Sequence, residues 1–176
     1  MTRRKEGIRL ASDFLNFLRF DVEESAAATY TEKELDTNLS AERGVMMEIH
    51  SIEIYSPDFV NFLEVAAGAF ESFAFHVARE SKTVVQPFQD SDVIAFFSRT
   101  LERAAAIGTD AGPLYFMSEN VLRVDFPMPI PYVKPSIFVA VAGTDASATF
   151  QVQGRIGYTL RDIDREEFLE LLVALQ

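Results

Sequence analysis

Among the 176 residues, the two histidines and 27 acidic residues offer the most chemistry. Glu48 and His50 are two apart in a strand-like stretch, GVMMEIHSIEIYS, so their side chains share a face. His76 from a second strand would complete a two-histidine, one-carboxylate set of the kind that holds non-haem iron. A binding module or metal enzyme built on Glu48, His50 and His76 is therefore one reading of the chain. Against it stands the ligand count: zinc and iron sites usually draw on more histidine or on cysteine, and the sequence has no cysteine. The sequence accordingly favours hydrogen-bonded histidines, and the expected cofactor and metal content is none.

Paired carboxylates come next. Asp90 with Asp92, and Asp162 with Asp164, have the spacing for acid–base work or for part of a calcium loop. Calcium needs about six to eight converging oxygens, and no segment supplies them. Asp164 has a simpler use as a helix cap, and Asp90 and Asp92 flank a turn after Pro87. Other catalytic signatures are missing. There is no G-x-S-x-G elbow, no H-E-x-x-H pair and no glycine-rich phosphate loop, because the eight glycines are scattered and QGRIGYT lies mid-strand. No enzyme class is indicated.

Charge narrows the partners. The net charge is −11, yet Arg3, Arg4, Lys5 and Arg9 against Glu6 give the first nine residues a local +3 and leave −14 on the rest. An acidic body repels nucleic acid, which presents about one negative charge per 1.7 Å of duplex. Residues 1–12 are expected to form a flexible basic arm capable of only weak, salt-sensitive contact with phosphates. Residues 13–176 are expected to form one domain, since a single core serves a chain of this length. No run approaches the ~18 apolar residues that cross a bilayer, and Glu6, Arg9 and Asp13 interrupt any secretory leader.

The elements that must position these side chains are mostly strands. Leu18, Phe20 and Val22 alternate with Arg19 and Asp21. TYTEKELDT, Thr29 to Thr37, reads as an edge strand or a loop, because charge blunts an edge. Val45, Met47 and Ile49 share one phase and Ile52 and Ile54 the other, which predicts a bulge or a crossing between sheets. Phe73, Phe75 and Val77 alternate, as do Leu122, Val124 and Phe126. VIAFFSRTL is a strand whose end, RTLERAAA, has the composition to open a helical turn. Pro127, Pro129, Pro131 and Pro135 predict a rigid extended connection or an edge. SIFVAVAG is apolar on both faces, as a covered central strand is.

In TFQVQGRIGYTLRD, Phe150, Val152, Ile156, Tyr158 and Leu160 face one side, and Gly154 and Gly157 mark a bend or a close neighbour. The intervening GTDASA has turn composition and predicts a hairpin with the preceding strand. DFVNFLEVAAGAF, Asp58 to Phe70, fits a short helix or an apolar loop. The last element, 164–175, is a helix with Asp164 at its N-cap, Glu167 three positions on, and the stripe Phe168, Leu171, Leu172 and Leu175. That stripe is either core or a subunit interface. Sixteen Phe and no Trp is core-filling usage, and any excess calls for burial against neighbours.

Seven to nine strands with little helix define an all-β, two-sheet antiparallel sandwich, jelly-roll-like, with a C-terminal α-helix. The basic start, the many strands, the proline-rich crossing and the closing VQGRIGYTLRDIDREEFLELLVALQ together resemble small jelly-roll coat (capsid) proteins of non-enveloped viruses, including structural proteins of uncultured viruses. The resemblance is carried by pattern over roughly the last third of the chain. It implies a virion protein, assembled in the host cytoplasm, whose partners are copies of itself. Phe168, Leu171, Leu172 and Leu175 would then be interface candidates, and Arg3, Arg4, Lys5 and Arg9 would face packaged genome, without any membrane role. A cupin-like metal enzyme is the alternative, although metal-binding cupins carry a denser histidine cluster than this one.

Overall fold

The structure, a computed structural model, describes residues 14–40, 42–55, 70–87, 89–103, 115–119, 123–145 and 149–175. The arm and its four cations lie outside the described residues, as does the ambiguous 58–69 stretch. Nine strands and one helix occupy the described residues: β1 (Asn16–Glu23), β2 (Thr31–Asp36), β3 (Val45–Tyr55), β4 (Phe70–Ala78), β5 (Val93–Arg103), β6 (Tyr115–Glu119), β7 (Arg123–Tyr132), β8 (Ser136–Thr144), β9 (Gln151–Asp162) and α1 (Arg165–Ala174).

Two antiparallel sheets, in the orders β1-β9-β3-β7 and β2-β8-β4-β5-β6, form the sandwich. The pairings are nested: the first strand lies beside the last, the second beside the eighth, the third beside the seventh. Such nesting is what a long hairpin produces when it is rolled up, with successive strands crossing between sheets. This is the jelly roll.

Alternation explains most of the core. Phe20, Val22, Met47, Ile49, Phe73, Phe75, Val77, Phe97, Val139, Phe150, Val152 and Ile156 are all buried in one cluster between the sheets. Phenylalanine dominates its centre: Phe20 stacks on Phe75 at 5.3 Å, and Phe73 meets Phe150 at 5.1 Å between ring centroids. Phe96, of opposite parity, is only half-buried.

The phase change in β3 is a bulge. Register jumps from Ile49↔Tyr158 to Ser51↔Gly157, which leaves His50 as the extra residue. Without it, Ile52 and Ile54 would point to the outside instead of into the core. Gly154 marks a close approach, because a Cβ there would sit 2.2 Å from Phe20 Cζ and 2.4 Å from the Glu53 carbonyl oxygen.

The edges follow the composition. Charge-rich β2 is an edge of the five-stranded sheet, and proline-bearing β7 is an edge of the four-stranded one. At an edge the missing proline N–H groups leave no buried acceptor without a donor. RTLERAAA begins as strand, since β5 runs through Arg103; its last three residues lie outside the described ones.

The expected β8–β9 hairpin is not formed. β8 pairs with β2 and β4, whereas β9 pairs with β1 and β3 in the other sheet. Turn composition reports only that the chain reverses. The nesting sends β9 across to the strand that began the fold. Buried Glu24 braces this crossing by accepting backbone N–H bonds from Gly143 (2.5 Å), Phe150 (2.8 Å) and Thr29 (3.1 Å).

Candidate functional site

Strand parity decides the fate of the histidine–carboxylate set. Met47 and Ile49 point inward on β3, so Glu48 points out, and the bulge at His50 keeps that ring outside as well. His50 Nε2 lies 2.9 Å from Thr159 Oγ1, which in turn donates to Glu48 Oε2 at 3.4 Å. On β4, Phe75 and Val77 point inward, so His76 faces outward from the opposite sheet. Both layers of core lie between the two histidines. Glu48, His50 and His76 therefore do not converge, which corrects the metal-site reading. Among the described residues no group of three His, Cys, Asp or Glu side chains is placed to share an ion.

His76 is fully buried beneath the segment that follows β4. Its Nδ1 accepts the Gln86 N–H at 2.9 Å, which places the ring proton on Nε2, an atom with no hydrogen-bond partner among the described residues. Burial pushes its pKa below the ordinary value, opposed by the nearby Glu32 and Asp90 carboxylates and reinforced by Lys82. Asp90 and Asp92 form neither a catalytic pair nor a calcium loop. They clamp Lys82 Nζ at 3.1 and 2.7 Å, and Asp90 Oδ1 also accepts the Asp92 N–H at 2.9 Å. That backbone bond, then the ammonium, holds Asp90 below the usual carboxylate range. Asp164 caps α1 by accepting the Glu167 N–H at 2.8 Å.

The outer face of the four-stranded sheet carries a feature that no single segment reveals. Register lines up Arg19, Arg155, Glu53 and Arg123 in one row across all four strands. Glu53, only 7% exposed, is gripped by Arg123 Nη1 at 2.5 Å, Arg155 Nη2 at 2.7 Å and the Tyr55 hydroxyl at 2.7 Å. The tyrosine bond, then the guanidiniums, lowers the Glu53 pKa against the opposing effect of burial. Arg155 also lies over the Phe17 ring, 4.5 Å from its centroid. Arg19, directly opposite Arg155, is exposed, and among the described residues its side chain makes no salt bridge or hydrogen bond. Leu15 and Phe17 extend this face as exposed apolar side chains over Gly157, and Phe14, just before the strand, is 81% exposed. Alternation placed Arg19 and Arg155 on the outside; their adjacency needed the strand order.

The helix stripe is used within the chain. Phe168 is buried with Met46, Val133 and Ile163, and Leu171, Leu172 and Leu175 pack half-buried against the same cluster. The helix's exposed apolar residues are Leu169 and Val173, on the other side. A hollow of about 440 Å³ opens where Leu39 and Val45 meet Tyr158 and Leu160, with Arg43 at its rim; none of the three metal candidates lines it. Among the described residues no helix is long and apolar enough to cross a membrane.

The strand order defines the class: a jelly-roll sandwich. Among solved structures, the chain is similar to the VP1 protein of Merkel cell polyomavirus, solved as an unassembled pentamer, at 8% identity and a TM-score of 0.45, over 87% of this chain and 97% of that one. It is also similar to VP1 of trichodysplasia spinulosa-associated polyomavirus in complex with GM1 oligosaccharide (9% identity, TM-score 0.44, 89% and 98% covered). Apo chimpanzee polyomavirus VP1 is a third (10% identity, TM-score 0.41, 86% and 96% covered). These are jelly-roll coat proteins of non-enveloped viruses, the group that the sequence resembles. No protein-family model matches the chain, and no curated protein matches it.

Proposed function

We propose that the chain is a non-enzymatic coat subunit that assembles with copies of itself into a viral shell. The observation that carries this reading is the placement of large apolar side chains on the surface of a finished jelly roll. Leu15 and Phe17 stand out from one sheet, Phe14 from the residues just before it, and Leu169 and Val173 from the helix, although the core is already filled with phenylalanine. Water-exposed apolar groups of this size favour burial against another molecule. Charge on β2 and proline on β7 oppose strand addition at those two edges, so assembly through faces suits the molecule better than pairing there.

In this role the protein resides in the virion, after assembly in the host cytoplasm and without a membrane step. Arg3, Arg4, Lys5 and Arg9 supply a weak, salt-sensitive contact with genome. The half-exposed flanks of Leu171, Leu172 and Leu175, beside buried Phe168, remain available to a neighbouring subunit. Sedimentation velocity with negative-stain microscopy of the purified chain tests the proposal. A large homo-oligomer or closed particle is expected; a monomer at every concentration overturns it.

A further inference from the structure

We infer that copies join head to tail, the outer face of α1 in one copy docking on the Leu15–Phe17–Arg19 face of the next. The inference rests on the coat-subunit reading and names the surfaces through which it would operate. Glu166, Leu169, Glu170 and Val173 follow an i, i+3, i+4, i+7 spacing, so they share one side of the helix, opposite the buried stripe. On β1, Phe17 and Arg19 share the outward side by alternation, and Leu15, just before the strand, lies with Phe17 over Gly157.

Each face contains an electrostatic conflict that the other relieves. Arg19 lies directly opposite Arg155, and like charges in that position repel. Arg155 is neutralised by Glu53, whereas exposed Arg19 has no such partner among the described residues. Glu166 and Glu170 repel one another at i, i+4, and no basic residue sits in the last turn of the helix. Neither face relieves the other within a copy, because Phe17, Leu169 and Val173 remain 41%, 44% and 70% exposed.

The spacings also correspond. The seven helical steps from Glu166 to Val173 rise about 10 Å, and the four extended steps from Leu15 to Arg19 span about 13 Å. Val173 can therefore lie on Leu15 and Leu169 on Phe17 while the glutamates reach Arg19. Two different faces make a heterologous contact, which closes into rings or extends into an array.

A charge exchange tests this. Arg19→Glu is expected to weaken self-association about tenfold in sedimentation velocity, and Glu166→Arg/Glu170→Arg by a similar factor, with unchanged far-UV circular dichroism and melting in both. Mixing the two variants is expected to restore assembly, because each then offers the face that the other lacks. A wild-type chain that stays monomeric overturns the coat reading. A wild-type chain that assembles, with Arg19→Glu assembling equally well or the mixture failing to recover, overturns this contact alone.

Discussion

Replacing Glu24 by Ala removes the acceptor that ties the β8–β9 crossing to the end of β1. The carboxylate is 3% exposed and receives three backbone N–H groups, of which Gly143 and Phe150 belong to buried residues. A hydrogen bond to a charged acceptor contributes about 1.5–3 kcal/mol. The two buried donors therefore set a loss of about 3–6 kcal/mol, while Thr29, at a half-buried turn, can rehydrate its N–H. For a chain of this size each kcal/mol lowers Tm by about 2–4 °C. Urea unfolding followed by circular dichroism measures the loss. Glu24→Gln provides the control: it keeps the shape and one good acceptor, and should lose about half as much. If Glu24→Ala unfolds within about 1 kcal/mol of wild type, the crossing is held by packing and the reasoning about its clasp is wrong.

Three further outcomes follow from the same geometry. Gly154→Ala places a Cβ against the Glu53 backbone and the Phe20 ring and should cost about 3 kcal/mol of unfolding free energy, whereas Gly157→Ala meets the movable Ser51 hydroxyl at 2.7 Å and should cost less. Leu172→Glu should lower Tm, because its side chain packs against Phe168, Met46 and Val133. Val173→Glu, 70% exposed, should leave Tm unchanged and weaken only assembly. His76 has a folded pKa below its ordinary 6.5, so the unfolded chain takes up the proton first. Its stabilising contribution is complete above that value and is lost as pH falls toward the folded pKa. Unfolding free energies should fall as pH drops below about 6.5 in wild type and fall less in His76→Gln.

Features set by local periodicity were legible in the sequence. Leu18, Phe20 and Val22 announce a half-buried strand, the shift from Ile49 to Ile52 announces a bulge, and Asp164 with Glu167 announces a helix start. Prolines at 127, 129 and 131 mark an edge for the same reason: each statement needs only the neighbours along the chain. What depends on which strand lies beside which was hidden. GTDASA looks like a hairpin because turn chemistry does not reveal the sheet of destination. Glu48, His50 and His76 look compatible because parity gives the face of a strand without giving the side of the molecule. The Arg19–Arg155–Glu53–Arg123 row is built from four distant segments, so its charge balance emerged only with the register.

The treatment of the strand borders has a consequence for life at high concentration. Lys33 donates to the Asp21 carbonyl at 2.9 Å, glutamates line β2, and prolines punctuate β7. In the proposed coat role, molecules crowded together during bulk synthesis would find strand addition along those borders disfavoured, so fibrous precipitation would be discouraged. Encounters between proposed subunits would then be left to side-chain surfaces, whose weak bonds can be broken and remade until misplaced units are expelled.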